Sequence, residues 1–265
     1  DALGIDLITG ARCLQDLLDL DSKALKVSEE RLQEVECKVS LVNQSFADLD
    51  IVLKDLKLDG FDKILFDLGW SSNQFEDPSR GFSFNHEGPL HMSLRDDLSK
   101  VAFTAHDIVN TWEKSSLIDI LQGYGEERYA WKISEAIAAH REEKIIETTT
   151  ELAEIISQAV PKKYRNGKIH PATKSFQALR IAVNNEMEVL KEGLEKAFNH
   201  LHQNGKMLVI SFHSTEDRIV KHYFRKLKDE GRAQLFNKKP LTATEEELSE
   251  NRRSRSAKLR IITKI

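Results

Sequence analysis

Two short apolar runs constrain this chain most: Lys63–Asp67 (KILFD) and Met207–Phe212 (MLVISF). Each is a few residues of Ile, Leu, Val, Met and Phe closing on polar sequence, the pattern of a strand buried on both faces of a sheet. Helical patterns surround them. Upstream, Ala2–Asp6 reads as a short strand ending in an acid, and residues 10–36 read helical through Leu14, Leu17, Leu18, Leu25 and Leu32. Val39–Asn43 is a further strand and Phe46–Leu58 a helix, with Asp48 or Asp50 near its start. Strand, helix, strand, helix, strand predicts a parallel sheet with crossover helices.

The pattern changes at about residue 104. Ala105–Glu113, Ser115–Gln122, Glu126–Glu142 and Thr149–Ala159 are four helix candidates in succession. Pro161 and the basic stretch Lys162–His170 interrupt them. A long helix is predicted over Thr173–His202 with Gly205 at its C-cap, another over Thr215–Lys228 with Thr215 as N-cap, and a last strand over Ala257–Lys264. The chain therefore reads as an α/β sheet domain, residues 1–103 and 171–265, interrupted by an all-helical insert at 104–170.

Composition narrows the function classes. No apolar run approaches the roughly 20 residues that span a bilayer, so no membrane partner is expected. Cys13 and Cys37 are too few for a disulfide framework and suit a reducing compartment. A net charge of −4 argues against indiscriminate polyanion binding. Basic residues nevertheless cluster twice: Lys162, Lys163, Arg165, Lys168, His170 and Lys174, then Arg252, Arg253, Arg255, Lys258, Arg260 and Lys264. Such runs are ordinarily solvated faces; two of them on a mildly acidic chain also suit a defined nucleic-acid surface.

The residues with chemistry sit mostly at predicted strand ends, where open α/β sheets bind ligands. Asp6 there could bind a ribose hydroxyl pair or simply cap a helix. Asp67 could accept hydrogen bonds from an amine or ribose, or hold an Asx turn with Gly69. The loop after it carries Ser71, Ser72 and Gln74, then Arg80-Gly81-Phe82-Ser83-Phe84. A cation beside two rings could stack on an unpaired base, or the rings could pin the loop to its domain. Ser211 and His213 follow the MLVIS run but lack the G-x-S-x-G elbow of a hydrolase. The nine histidines show no metal-binding spacing, and no metal is expected.

Several blocks in order, FDKILFDLGWSSNQF, RGFSF, YGEER, HPATKSFQALRI, ISFHSTEDRIVK and RSRSAKLR, resemble the RsmH (MraW) family over nearly the whole chain. The resemblance implies a class I, Rossmann-like methyltransferase sheet with a helical substrate-recognition insert. It implies S-adenosyl-L-methionine as cofactor and N4-methylation of a cytidine in small-subunit ribosomal RNA, in an assembled or nearly assembled subunit, in the bacterial cytoplasm or an organelle. It leaves the oligomeric state open. By the same resemblance Asp6, Phe46, Asp67 and Gln74 contact the cofactor; the acceptor that helps the cytosine amine attack could be Asp67, the catalytic candidate, a nearby backbone carbonyl, or both. For such a substrate Arg80, Phe82 and Phe84 could receive the unstacked cytidine, and Lys162, Lys163, Lys174, Arg252, Arg253 and Arg255 could hold RNA phosphates.

Some family features differ here. The glycine-rich D-G-T-x-G-x-G-G-H block has no counterpart, so either an N-terminally shortened sequence or weak cofactor binding is expected. The alternative function is a catalytically impaired RNA-binding or ribosome-assembly factor. I-D-R-D-P is matched against Ile5-Asp6-Leu7-Ile8-Thr9, and G-P-L-D-M-R against Gly88-Pro89-Leu90-His91-Met92-Ser93.

Overall fold

The computed structural model describes residues 5–9, 14–33 and 38–265; for 5–9, 14–15 and 72 it describes the backbone alone. Cys13 and Cys37 lie outside the described residues. The chain forms two compact units, one from residues 1–70 and 187–265, the other from 71–186.

The first unit opens with strands β1 (Ile5–Thr9) and β2 (Leu14–Leu18), then helix α1 (Ser22–Leu32), β3 (Lys38–Val42), α2 (Leu49–Leu56) and β4 (Phe61–Asp67). The second unit contains α3 (Ser72–Glu76), α4 (Ala105–Thr111), α5 (Lys114–Gly123), α6 (Ala130–Glu143), α7 (Thr149–Ala159), α8 (Lys162–Arg165) and α9 (Thr173–Val183). The chain returns to the first unit with α10 (Glu186–Asn199), β5 (Leu201–Ser211), α11 (Ser214–Asp229), β6 (Ala233–Leu235), β7 (Leu241–Thr242), α12 (Glu245–Glu250) and β8 (Lys258–Lys264).

The eight strands of the described residues form one sheet, in the order β3-β2-β1-β4-β5-β8-β6, with β7 also on β8. β2 pairs parallel with β3, and β4 with β5. Phe61, Ile64, Phe66, Met207 and Val209 bury completely and pack against Leu190, Leu194 and Phe198 of α10 and Val220 and Phe224 of α11. These strand residues share one fully buried face, and Leu65, Leu208 and Ile210 on the other are partly buried, so apolar residues run through KILFD and MLVIS on both sides of the sheet.

Four predicted elements differ. Residues 10–36 are not one helix, because Leu14–Leu18 is a strand. Its leucines fit helical spacing, but parallel pairing with β3 decides the outcome. β1 does not end at Asp6. It continues to Thr9 and runs antiparallel to both β2 and β4. Only residues 10–13 separate it from β2, too few for a parallel crossover. The long helix of 173–202 breaks between α9 and α10, where Asn185 takes a left-handed φ of 48° and Asn184 turns its side chain onto backbone groups. β5 begins at Leu201, so Gly205 lies inside a strand and caps nothing.

The second unit is wider than the helical stretch 104–170. It takes in α9, whose Phe176, Ala178 and Leu179 join a separate core with Ile108, Leu117, Ile133, Leu152 and Ile156. It also takes in the loop 77–103, which contributes Phe82, Leu90 and Met92 to that core.

Candidate functional site

In the first unit, β2, β3, β4 and β5 all point one way, since β2 and β4 each oppose β1. Their carboxyl ends make one edge, where doubly wound sheets bind ligands. Asp67 is the last residue of β4, half-buried, and the next amide, Leu68 N, donates to Ile210 O of β5 at 3.1 Å. Gly69 follows with φ 101°, which lets the chain leave the strand abruptly.

The acid that follows the carboxyl end of β2 is Asp19, not Asp6. Asp19 N donates to Val42 O at 3.2 Å, and Asn43 Nδ2 donates to Asp19 O at 3.0 Å, so the ends of β2 and β3 are tied together. Asp19 Oδ1 accepts from Asp21 N at 2.8 Å, and Asp21 in turn caps α1 by accepting from Lys23 N. Asp6 stands second in β1, beside Leu17 and Leu65, so it does not close a strand at this edge. Asp19 could have been found in the sequence. Asp19-Leu20-Asp21 repeats the D-x-D spacing of the family's I-D-R-D-P, directly before the helix it caps.

Just past β3, Gln44 keeps its side-chain Oε1 buried with no hydrogen-bond partner among the described residues. Such an atom is costly unless a ligand donor meets it. Ser45 caps the following turn by accepting from Ala47 N at 3.1 Å. Phe46 packs edge-on against Phe66, with centroids 5.4 Å apart, while staying partly exposed. Gly193 makes that position possible, since a Cβ there would lie 2.4 Å from the Phe46 ring.

Ser211 and His213 do not act as a pair: Ser211 Oγ donates to Lys258 O at 3.5 Å, while His213 is a helix cap. Glu216 Oε2 accepts from Phe212 N at 2.9 Å and His213 N at 3.3 Å, and His213 Nδ1 accepts from Glu216 N. His213, not Thr215, therefore starts α11.

In the second unit, the loop after α3 is closed by its own polar groups. Gln74 Oε1 accepts from Ser71 N at 3.0 Å, its backbone N donates to Ser71 Oγ, and its Nε2 donates to Leu94 O at 3.3 Å. Arg80 is only 8% exposed and donates through Nη2 to Ser93 O (3.0 Å) and Leu94 O (2.9 Å). Asn184 joins them, accepting from Leu94 N at 2.7 Å and donating to Met92 O at 2.8 Å. Phe82 is buried. Phe84 stacks on His170 at 4.5 Å and meets Phe176 edge-on at 4.9 Å. The Arg80–Phe84 segment thus pins the loop and offers no open stacking platform, because its rings belong to the helical core and its cation to backbone carbonyls. His91 Nδ1 lies 3.2 Å from Ser79 O and serves the same closure. Thr149 zips the loop to α7, with its N donating to Gly88 O and its Oγ1 accepting from Gly88 N.

A family model described as the MraW methylase family matches residues 12–265. The chain belongs to the MraW methylase family. It is 50% identical over 244 residues to "Ribosomal RNA small subunit methyltransferase H" of Sulfurihydrogenibium sp. (strain YO3AOP1), covering 92% of this chain and 82% of that one. It is 44% identical to the protein of that name from Persephonella marina, covering 94% and 83%, and 43% identical to that of Pelobacter propionicus, with the same coverage. The sheet is the Rossmann-like class I sheet of the MraW methylases.

The two basic runs divide in the MraW fold. In the tail, Arg260 Nε donates to Asp217 at 2.7 Å and Lys258 Nζ lies 3.4 Å from the same carboxylate. Burial alone would raise Asp217, but Arg260 and Lys258 outweigh it and hold the carboxyl below its usual range. Lys264 Nζ is spent on the carbonyls of Phe198, Asn199 and Leu201. Arg252, Arg253 and Arg255 remain exposed on a 3-10 turn before β8. In the other run, Lys162 and Lys163 are exposed on α8, while Lys174 donates to Glu126 O at 2.9 Å. No helix of the described residues is long and apolar enough to cross a membrane.

Proposed function

We propose that this chain is an rRNA (cytosine-N4)-methyltransferase, moving a methyl group from S-adenosylmethionine to the exocyclic amine of a cytidine in small-subunit ribosomal RNA. The observation that carries the reading is Asp67, an acid closing a central strand at the carboxyl edge of an MraW-family sheet. The relatives' names supply the RNA substrate.

The residues of that edge fit the cofactor. Asp19 is a carboxylate suited to vicinal ribose hydroxyls. Gln44 Oε1, buried and unmatched, suits an exocyclic amine donor, and the exposed part of Phe46 suits the edge of a purine. S-adenosylmethionine, when bound, supplies a methyl group already activated on a sulfonium. The protein's share is positioning and charge management. The cytosine amine is a weak nucleophile because its lone pair is delocalised into the ring. Asp67, accepting a hydrogen bond from that amine, helps the lone pair localise as attack begins. The cytidine must leave its stack to be reached. Lys162, Lys163, Arg252, Arg253 and Arg255 are the exposed cations that hold RNA phosphates. Gln74, Arg80, Phe82 and Phe84 act from within, fixing the loop. We place the reaction in the bacterial cytoplasm on an assembled or nearly assembled small subunit.

Tritium-methyl incorporation into unmethylated small subunits tests the assignment. Asp67→Ala is expected to abolish transfer, and full activity in that variant would remove Asp67 from the chemistry. Asp19→Ala is expected to weaken cofactor binding by on the order of ten- to a hundredfold, the worth of hydrogen bonds to a charged group. RNA binding by the parent protein with no transfer at all would favour the assembly-factor reading.

A further inference from the structure

Glu127, Arg128, Tyr129 and Tyr164 form a cluster in the second unit that the proposed catalytic edge does not use. Glu127 is 1% exposed. Its Oε2 accepts from Tyr164 Oη at 2.6 Å and its Oε1 from Tyr129 N at 2.8 Å. Burial, reinforced by the Glu127 bond, pushes the Tyr164 phenol up, so it stays a donor at every physiological pH. The rings of Tyr129 and Tyr164 meet edge-on with centroids 4.9 Å apart. Arg128 lies over both, its guanidinium carbon 4.8 Å from the Tyr129 centroid and 4.7 Å from that of Tyr164.

Arg128 is itself exposed, and no ion pair or hydrogen bond of its guanidinium is found among the described residues. Two rings flank this exposed cation, and its N–H donors meet no acceptor among the described residues. A guanidinium ordered in advance loses less freedom when it meets a bidentate acceptor. Tyr164 belongs to α8, so the exposed Lys162, Lys163 and Arg165 stand on the same turn of helix as the ring that braces Arg128. Such a cationic neighbourhood suits a phosphodiester and not a basic partner.

We infer that Arg128 is a preordered fork for one backbone phosphate of the RNA substrate, braced by Tyr129 and Tyr164 and held by Glu127. The inference rests on the reading that the chain acts on RNA. It makes Arg128 a positioning residue that fixes the register of the RNA, since phosphate contacts orient without reading sequence.

The test uses Arg128→Lys and Arg128→Gln in two assays: binding of a small-subunit ribosomal RNA transcript over a salt series, and steady-state methyl transfer to small subunits. Arg128→Lys keeps the charge but loses the fork, and is expected to raise KM on the order of three- to tenfold with kcat unchanged. Arg128→Gln is expected to weaken RNA binding and to flatten the logarithmic salt slope by about one. Tyr164→Leu, which leaves Arg128 in place but unbraced, is expected to weaken binding without changing that slope. Wild-type affinity and slope in both Arg128 variants would overturn the fork. A fall in affinity with the slope of Arg128→Gln unchanged would overturn it in favour of base stacking. Methyl transfer with no Arg128 effect counts against the fork alone. An Arg128 effect on binding without any transfer counts against the enzyme reading alone.

Discussion

Arg80 and Arg128 belong to the same compact unit and to equally motif-like stretches, RGFSF and YGEER, yet they are used in opposite ways. Arg80 is buried, its donors given to the carbonyls of Ser93 and Leu94, with the Phe82 ring 5.9 Å away. Arg128 is exposed, held by two rings and donating to nothing among the described residues. A cation beside aromatic residues in a sequence says nothing about which of these it will be. The deciding factor is which donors reach the neighbouring carbonyls: in the irregular loop 77–103 Arg80 itself meets Ser93 O and Leu94 O, whereas in the turn of Arg128 Lys174 meets Glu126 O.

Four measurements probe that contrast. The largest effect belongs to Arg80→Ala, which strands two carbonyls and is expected to cost about 3 kcal/mol of stability, read by thermal or denaturant unfolding. A loss near zero would mean the loop is held by something else. Gly88→Ala comes next. A Cβ there would stand 2.0 Å from Pro78 O, and the forced shift is expected to cost about 2 kcal/mol. Glu151 is intermediate. It accepts from Lys144 Nζ at 2.9 Å and Glu147 N at 3.0 Å, and Lys144 is the main cause of its pKa falling to about 2 from the ordinary 4.5. A depressed acid stabilises above its unfolded pKa and loses that contribution as pH falls. Glu151→Gln should therefore cost about 1 kcal/mol at pH 7. Parent and variant unfolding curves should converge as pH drops from about 4.5 to about 2. The smallest effect is that of Arg128→Ala, expected to change stability by less than about 0.5 kcal/mol, as surface substitutions do. A large loss there would make Arg128 a second structural arginine and erase the contrast.

The central strands were legible because β4 and β5 carry apolar residues on a buried face and on a partly buried one, leaving uninterrupted apolar runs that no amphipathic helix would show. β2 was not. Leu14, Leu17 and Leu18 satisfy a helical period as well as a strand, and only pairing with β3, more than twenty residues on, settles the matter. That one misreading also hid Asp19, because an acid inside a supposed helix draws no attention as a strand-end ligand. Asp67 was legible, since the apolar run before it marks the strand end. The roles of Gln74, Arg80 and Phe82 were not, because their partners, Leu94, Ser93 and the helical core, are local only in space. The break between α9 and α10 depended on Asn184 reaching Met92 and Leu94, some ninety residues back.

The division of the chain also sets an order of events at the ribosome. The second unit is one uninterrupted stretch, 71–186, and can close as soon as it has left the exit tunnel. The sheet cannot. Asp67 emerges 134 residues before Leu201 opens β5, an interval on the order of ten seconds at ordinary synthesis rates. For that time β4 has exposed Ile64 and Phe66 and an unpaired edge, the condition in which nascent strands aggregate. Translation speed and chaperone access between residues 67 and 201 should therefore govern how much of this protein reaches its native sheet.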